Sequence, residues 1–296
     1  MKLAWATDIH LDFCPEPLFE RGFLPQMAGA DAVLLTGDIA NGRNIERWLI
    51  TLSVKLDVPI YFVLGNHDYY HRSIAQVRES MLARCDREPN LTYLSDGSII
   101  DLGGGTMLVG HDGWGDTRLG DFLSSTVELN DHQLIEELCI ADRAELMPKL
   151  RDLGDEAAAS LHDSATRAIR RGARRLLVAT HVPPYVESLW HEGKTAEPGS
   201  PWIPNFTCGA TGATLRALAE AHPGVPITVF CGHTHGQGSA RIRDNLVVHT
   251  GGADYGAPAL AGWIHPERDE PLVRGDTPPA PQEQKSGFSL KRWLFG

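Results

Sequence analysis

The chain has 296 residues, and 38 acidic against 27 basic side chains leave it a formal charge of −11. That sign excludes a nonspecific nucleic-acid surface, which needs a basic footprint, but not a phosphorylated small molecule, because bound cations reverse the potential locally. Hydrophobic residues at 42% and charged residues at 22% describe an ordinary globular chain, long enough for one large core or two modest ones.

The first apolar run, Lys2-Leu3-Ala4-Trp5-Ala6-Thr7, has strand length and delivers Asp8-Ile9-His10; it leaves no room for a signal peptide. A second run, Ala32 to Thr36, ends in Gly37-Asp38. Ile45, Trp48, Leu49, Leu52 and Leu56 then recur at helical spacing, and Pro59 opens a third strand that ends in Gly65-Asn66-His67-Asp68. A helix is expected over 71–85. Short apolar segments near 91–94, 98–102 and 106–110, the last two separated by Gly103-Gly104-Gly105, read as antiparallel strands.

Residues 115–173 change character, with few β-branched runs and many Ala, Leu, Glu and Arg. The periodicity predicts helices at 130–147 and 155–172, placed either as a cap over the strand ends or as a layer on one sheet face. Arg167, Arg170, Arg171 and Arg174 form a basic stripe near a helix C-terminus, where positive charge complements the helix dipole. A strand over 174–180 ends in His181. The Pro- and Gly-rich stretch 182–209 follows without periodicity, and its position after a candidate ligand predicts that it borders a pocket. A helix over 211–222 leads to a strand over 225–231 that ends in Gly232-His233-Thr234-His235. Segments 239–243 and 246–250 form a hairpin over Asp244-Asn245. Residues 1–274 are read as a single domain, and 275–296 as a linker and short tail.

No apolar stretch approaches the roughly 18 residues of a membrane span. The five cysteines are scattered without CxxC spacing, so neither a disulfide framework nor a zinc finger is expected, and a reducing cytoplasm is the simpler setting.

Asp8-Ile9-His10, Gly37-Asp38, Gly65-Asn66-His67-Asp68, His181 and Gly232-His233-Thr234-His235 each close an apolar strand, so their side chains converge on one rim of a sheet. Carboxylate, amide oxygen and neutral imidazole suit divalent Mn, Fe, Zn or Ni, with Mn first among them. Aspartate can bridge two cations. Such a pair, about 3.5–4 Å apart, activates water and clamps a phosphoryl group, while a histidine protonates the leaving oxygen. His111, His191 and His249 are weaker candidates for substrate contact, with a structural role favoured for each.

The order Asp-x-His, Gly-Asp, Gly-Asn-His-Asp, His, Gly-His-x-His resembles the calcineurin-like metallophosphoesterases, from Asp8 to His235. The resemblance implies an α/β fold, a four-layer α/β/β/α sandwich, with 115–173 as a helical insertion. It implies two divalent metal ions. Asp8, His10, Asp38 and His235 would hold the first; Asp38 would bridge to the second, completed by Asn66, His181 and His233. His67 would act as general acid, and Asp68 would orient it through its other ring nitrogen. The implied reaction is hydrolysis of a small phosphomonoester or phosphodiester by direct attack of a metal-bridged hydroxide.

Asp68 after the histidine and the stretch Gly37-Asp38-Ile39-Ala40-Asn41 set the chain apart from the protein Ser/Thr phosphatases of the superfamily. Asn41, where purple acid phosphatases carry an iron-binding Tyr, sets it apart from those too. Two alternatives are a metal-dependent nuclease of the same superfamily and a catalytically silent protein-binding scaffold. The acidic charge opposes the first, and the complete ligand set opposes the second. Oligomeric state is not legible.

Overall fold

In the computed structural model, which describes residues 1–274, each apolar run that precedes a polar cluster forms a strand. β1 (Leu3–Ala6), β2 (Ala32–Thr36) and β3 (Ile60–Val63) pair in parallel, with Trp5 beside Leu34 and Leu34 beside Tyr61. β4 (Leu91–Tyr93) extends this sheet, parallel to β3. β5 (Ile100–Asp101) and β6 (Thr106–Gly110) form an antiparallel pair that begins a second sheet, and β7 (Arg175–Ala179) joins β6 in parallel. β8 (Trp190–His191) and β9 (Lys194–Thr195) make a separate small hairpin. β10 (Ile227–Cys231) adds to β7 in parallel; β11 (Gly238–Arg243) and β12 (Leu246–Thr250) form the expected hairpin, with β12 parallel to β10. β13 (Gly262–Ile264) and β14 (Leu272–Val273) return to the first sheet, antiparallel at the edge of β1. The two six-stranded orders are β14-β13-β1-β2-β3-β4 and β11-β12-β10-β7-β6-β5.

Alternation along the strands builds the layers. Leu3, Trp5, Leu34, Tyr61 and Val63 pack against Leu108, Leu177, Ala179 and Phe230 of the other sheet. The intervening Ala4, Ala6, Val33, Leu35, Ile60 and Phe62 face outward, onto a cluster that includes α1 (Ile45–Leu56) and α2 (Ile74–Cys85). On the far side, Val109, Leu176, Val178 and Val229 meet α3 (Arg143–Arg170) and α4 (Gly209–Ala221). Strands buried on both faces read as continuous apolar runs, and the result is the α/β/β/α sandwich.

Two local expectations change. β4 is parallel and belongs to the first sheet, because α2 carries the chain across that sheet before it returns; only β5 and β6 form the antiparallel pair. Of the helix expected at 130–147, Asp131–Leu134 and Glu136–Leu138 are single separate turns; only the part from Arg143 is helical in one piece, and it runs on through Pro148 and Gly154 as α3 to Arg170. Gly154 does not interrupt it but makes room: a Cβ there would stand 2.5 Å from Cβ of Asp116. α3 is a layer, its Leu161, Ala165 and Ala168 lying on the second sheet, while Leu146 and Leu150 reach the first core. The linker and tail at 275–296 lie outside the described residues. Among the described residues, no helix is long and apolar enough to cross a membrane.

Asp112, just past β6, ties the two sheets together beneath the rim. Fully buried, it accepts hydrogen bonds from the Leu64 N–H (2.7 Å), the Tyr69 hydroxyl (2.6 Å), Tyr93 and Ser95 (2.7 Å), with Arg78 Nε at 3.6 Å. Burial would raise its pKa, but the Arg78 guanidinium and these donors hold it below the ordinary carboxylate value. Asp112→Ala strands several buried donors and a cation, and is expected to cost about 3–5 kcal/mol in urea unfolding at pH 7. Because the folded pKa is depressed, the contribution is complete above about pH 4 and fades as pH falls below it. The gap between native protein and variant therefore narrows in acid.

Candidate metal centre

The polar clusters follow strand ends in both sheets rather than in one, after β1, β2 and β3 of the first and β7 and β10 of the second, and the chain fixes them by loop-to-loop hydrogen bonds. The Asp8 N–H donates to Gly37 O (3.0 Å), His10 N–H to Asp38 O (3.0 Å) and His67 N–H to Asp38 Oδ1 (2.9 Å). The His233 N–H reaches both Asp8 oxygens (3.0 and 3.1 Å), and the Thr7 hydroxyl donates to Asp8 Oδ2 (2.6 Å). Asp8, His10, Asp38, His233 and His235 all adopt left-handed backbone, with φ of 49°, 38°, 51°, 69° and 55°. That turn at each strand end aims the side chain into the rim rather than along the sheet.

One ligand atom each from Asp8, His10, Asp38 and His235 lie within 4.8 Å of one another. Nε2 of His10 is 3.2 Å from Nε2 of His235 and 3.7 Å from Asp38 Oδ2, and His235 Nε2 is 3.4 Å from Asp8 Oδ1. Beside this group stands a second. His181 Nε2 lies 3.2 Å from Asn66 Oδ1 and 3.5 Å from Asp38 Oδ1, while its Nδ1 donates to Thr36 O (2.9 Å). That bond places the His181 proton on Nδ1 and leaves Nε2 as a lone pair aimed at two oxygens. His233 meets His181 edge to face, ring centroids 5.0 Å apart, and its Nε2 points to Asn205 O at 3.4 Å, leaving Nδ1 as the nitrogen with a lone pair. Asp38 thus faces both groups, one oxygen to each.

Burial, and after it the neighbouring imidazoles, lowers His10 and His233 well below the ordinary histidine value and His67 to about 3. Burial likewise lowers His181. These rings are neutral and present lone pairs. Burial would raise Asp8, but His235 and the imidazoles around it hold that carboxyl well below its usual range. Asp38 goes the other way: burial, Asp8 and Asp68 push it well up. With its proton on Nδ1, His181 presents Nε2 as an acceptor 3.2 Å from Asn66 Oδ1 and 3.5 Å from Asp38 Oδ1, and buried acceptors this close repel one another unless positive charge lies among them. The donor set, oxygen and neutral nitrogen, fits divalent cations.

Glycine makes this convergence feasible. A Cβ on Gly65 would stand 2.2 Å from Asp38 Oδ1 and 2.7 Å from His181 Cε1; one on Gly232 would stand 2.0 Å from Asp8 Oδ2. Gly65→Ala is expected to weaken divalent-cation binding about 10–100-fold, read by calorimetric titration of the metal-stripped protein, because the added methyl displaces Asp38 and His181 although neither is replaced.

His67 sits at the mouth, its ring 4.3 Å from that of Tyr70 and 4.6 Å from that of His10, with Nε2 4.0 Å from Asp38 Oδ2. The expected Asp68–His67 pairing is corrected: Asp68 is fully buried and faces away. Its oxygens accept the N–H groups of Ile39 (2.9 Å), Ala40 (2.9 Å) and Gly65 (2.8 Å), so it locks the Asp38 and Asn66 loops together instead.

Several residues near the centre are not among the sequence-based candidates. Asp131 accepts the Asn66 amide, and Asn205 and Phe206, from the long loop, cover His233, with the Phe206 ring 4.5 Å away. Tyr255 covers His10 and His235 at 4.4 and 4.9 Å, with its hydroxyl 3.5 Å from His67 Nε2. Tyr255 was findable, because it follows β12 at the same rim behind Gly251-Gly252. The secondary histidines divide: His111 is buried and accepts from the Gly113 N–H (3.2 Å), His249 bonds Ser239 (2.7 Å), and only His191 lies along the loop wall, 6.5 Å from Trp202.

A family model for calcineurin-like phosphoesterases matches residues 1–237. Among solved structures, the phosphopantetheinyl hydrolase of Mycobacterium tuberculosis is similar at 13% identity, covering 88% of this chain and 95% of that one with a TM-score of 0.57. A dimetal phosphatase from Danio rerio is similar at 14% identity, covering 86% and 87%, with a TM-score of 0.50. At such identities the likeness is one of fold. A search of curated protein sequences finds no match.

Proposed function

The chain belongs to the calcineurin-like phosphoesterase family, and from that premise we propose that it hydrolyses a small phosphomonoester or phosphodiester with two divalent cations at the rim, Mn first among them. The observation that carries the reading is the buried convergence of Asp8, His10, Asp38 and His235 within 4.8 Å, with Asn66 and His181 converging on the other oxygen of Asp38. Asp8, His10, Asp38 and His235 would hold one cation; Asp38, Asn66, His181 and His233 the other. When bound, such a pair lowers the pKa of water and neutralises the oxygens of a phosphoryl group.

The chain's own contribution is orientation and proton movement. Asp68 and the His67 N–H fix Asp38 between the two groups. His67 holds its ring at the mouth, neutral at rest; an anionic phosphoryl group arriving beside it raises its proton affinity, so the ring takes a proton from solvent, and the imidazolium then donates it from Nε2 to the leaving oxygen and returns to the neutral form. Water, not a side chain, attacks phosphorus. The proposed setting is the cytoplasm, which suits five free cysteines.

The test is hydrolysis of p-nitrophenyl phosphate and bis-p-nitrophenyl phosphate by chelator-stripped protein with Mn²⁺ added back. Metal-restored turnover is expected, and the ratio of the two rates separates monoester from diester preference. Silence on both esters with Mn, Fe, Zn and Ni would sink the proposal.

A further inference from the structure

Beside the candidate ligands lies a buried polar network that the reaction as outlined does not use. The Asn66 amide nitrogen donates to Asp131 Oδ1 (2.8 Å) and to the Tyr70 hydroxyl (3.3 Å), and that hydroxyl donates to the same Asp131 oxygen (2.8 Å). Asp131, Asn66 and Tyr70 are all buried. On its other side, Asn66 Oδ1 is the atom that meets His181 Nε2 at 3.2 Å. We propose that Asp131, supplied by the 115–173 insertion, is a positioning residue: it fixes the Asn66 amide so that oxygen, and not nitrogen, faces the second cation. The inference rests on the dinuclear reading above.

The argument is one of directionality. A primary amide presents an acceptor on one side and a donor on the other, and the two are nearly the same shape. Only the oxygen can ligate a cation; rotated by half a turn, the amide would present N–H groups to it. A carboxylate only accepts, so Asp131 selects the orientation in which nitrogen faces it, which a neutral amide at the same place would not do. The Asp131 backbone is itself held. The one-turn helix Asp131–Leu134 docks on the loop after His67, with the His71 N–H on Leu134 O (2.6 Å) and the Glu136 N–H on Arg72 O (3.2 Å). Glu137 then accepts the Ile74 N–H (2.8 Å) and the Ser73 hydroxyl (2.8 Å) at the start of α2. The insertion is therefore pinned to the segment that carries Asn66.

The experiment titrates the metal-stripped full chain with Mn²⁺, followed by calorimetry and by electron paramagnetic resonance, which distinguishes a lone from a coupled Mn²⁺ pair. Asp131→Asn keeps the shape and removes the directionality. It is expected to leave the tighter binding step unchanged, weaken the other about 10–100-fold, and replace the coupled spectrum with that of a lone ion at intermediate Mn²⁺. Tyr70→Phe is expected to weaken the same step less. On an Asn66→Ala background, Asp131→Asn should add no further loss.

An unchanged second step in Asp131→Asn would overturn the proposal. So would an equal loss on the Asn66→Ala background, which would mean that Asp131 acts through its charge or touches the cation itself. Loss of both steps in Asp131→Asn and Tyr70→Phe would assign the network to the fold alone and also overturn it. Absence of two-step binding in the unmodified protein, seen before any substitution, would overturn the dinuclear reading instead.

Discussion

Asp38→Asn is expected to abolish Mn²⁺-restored ester hydrolysis, by about 10³-fold or more, since a cation pair supplies several kcal/mol of charge stabilisation. The carboxylate directs Oδ1 toward His181 and Oδ2 toward His10 and so faces both groups. Asparagine keeps its volume and can still accept the His67 N–H, but it has one oxygen and no charge, so at most one group retains a ligand. The same variant should be more stable than the parent when both are metal-free. Burial and the nearby Asp8 and Asp68 carboxylates raise the Asp38 pKa in the folded chain. A carboxyl raised in this way opposes folding once pH exceeds its unfolded value of about 4, and a neutral amide does not. Thermal melts with and without Mn²⁺ check this: the metal-free melting temperature rises in the variant, and the Mn²⁺-induced increase largely disappears. Full activity in Asp38→Asn would refute the bridging assignment.

His67→Ala is expected to cut turnover about 10²–10⁴-fold for alkyl esters, whose leaving oxygen needs a proton, and little for p-nitrophenyl esters, whose leaving group departs as an anion. A plot of rate against leaving-group pKa therefore steepens in the variant. The His67 N–H that anchors Asp38 is unaffected by the substitution, so Mn²⁺ affinity should hold. Equal losses across the series would remove the general-acid role, and the Tyr255 hydroxyl, 3.5 Å from His67 Nε2, would become the next group to substitute.

What could be read before the structure was whatever the chain states locally. Val33, Leu34 and Leu35 make a run buried on both faces, and a polar residue directly after such a run can only fall at the sheet's rim; the same logic held for Asp8, Asn66, His181 and His233. What could not be read depends on partners far along the chain. β4 has three residues, too few to reveal which sheet it joins. Asp112, Asp116 and Asp131 look like surface acids within a polar stretch, yet each is buried. Asp116 accepts the Gly209 and Ala210 N–H groups (2.9 and 2.7 Å) at the start of α4, more than ninety positions away. Asp68 misled for the opposite reason: its neighbour in sequence was not its neighbour in space. The single long α3 escaped because Pro148 and Gly154 are helix breakers by propensity, overridden here by packing at both ends.

Five of the seven candidate ligand positions hold their backbone at positive φ, a conformation costing about 1–3 kcal/mol at each non-glycine residue. This has a bearing on selection. A library of this chain screened only for survival of heat would enrich glycine or asparagine at positions 8, 10, 38, 233 and 235, because those residues relax the backbone. The hardiest clones would be those that had discarded the centre. Any programme to toughen this protein therefore needs retention of bound cation as a second filter, or should confine its changes to the helical layers.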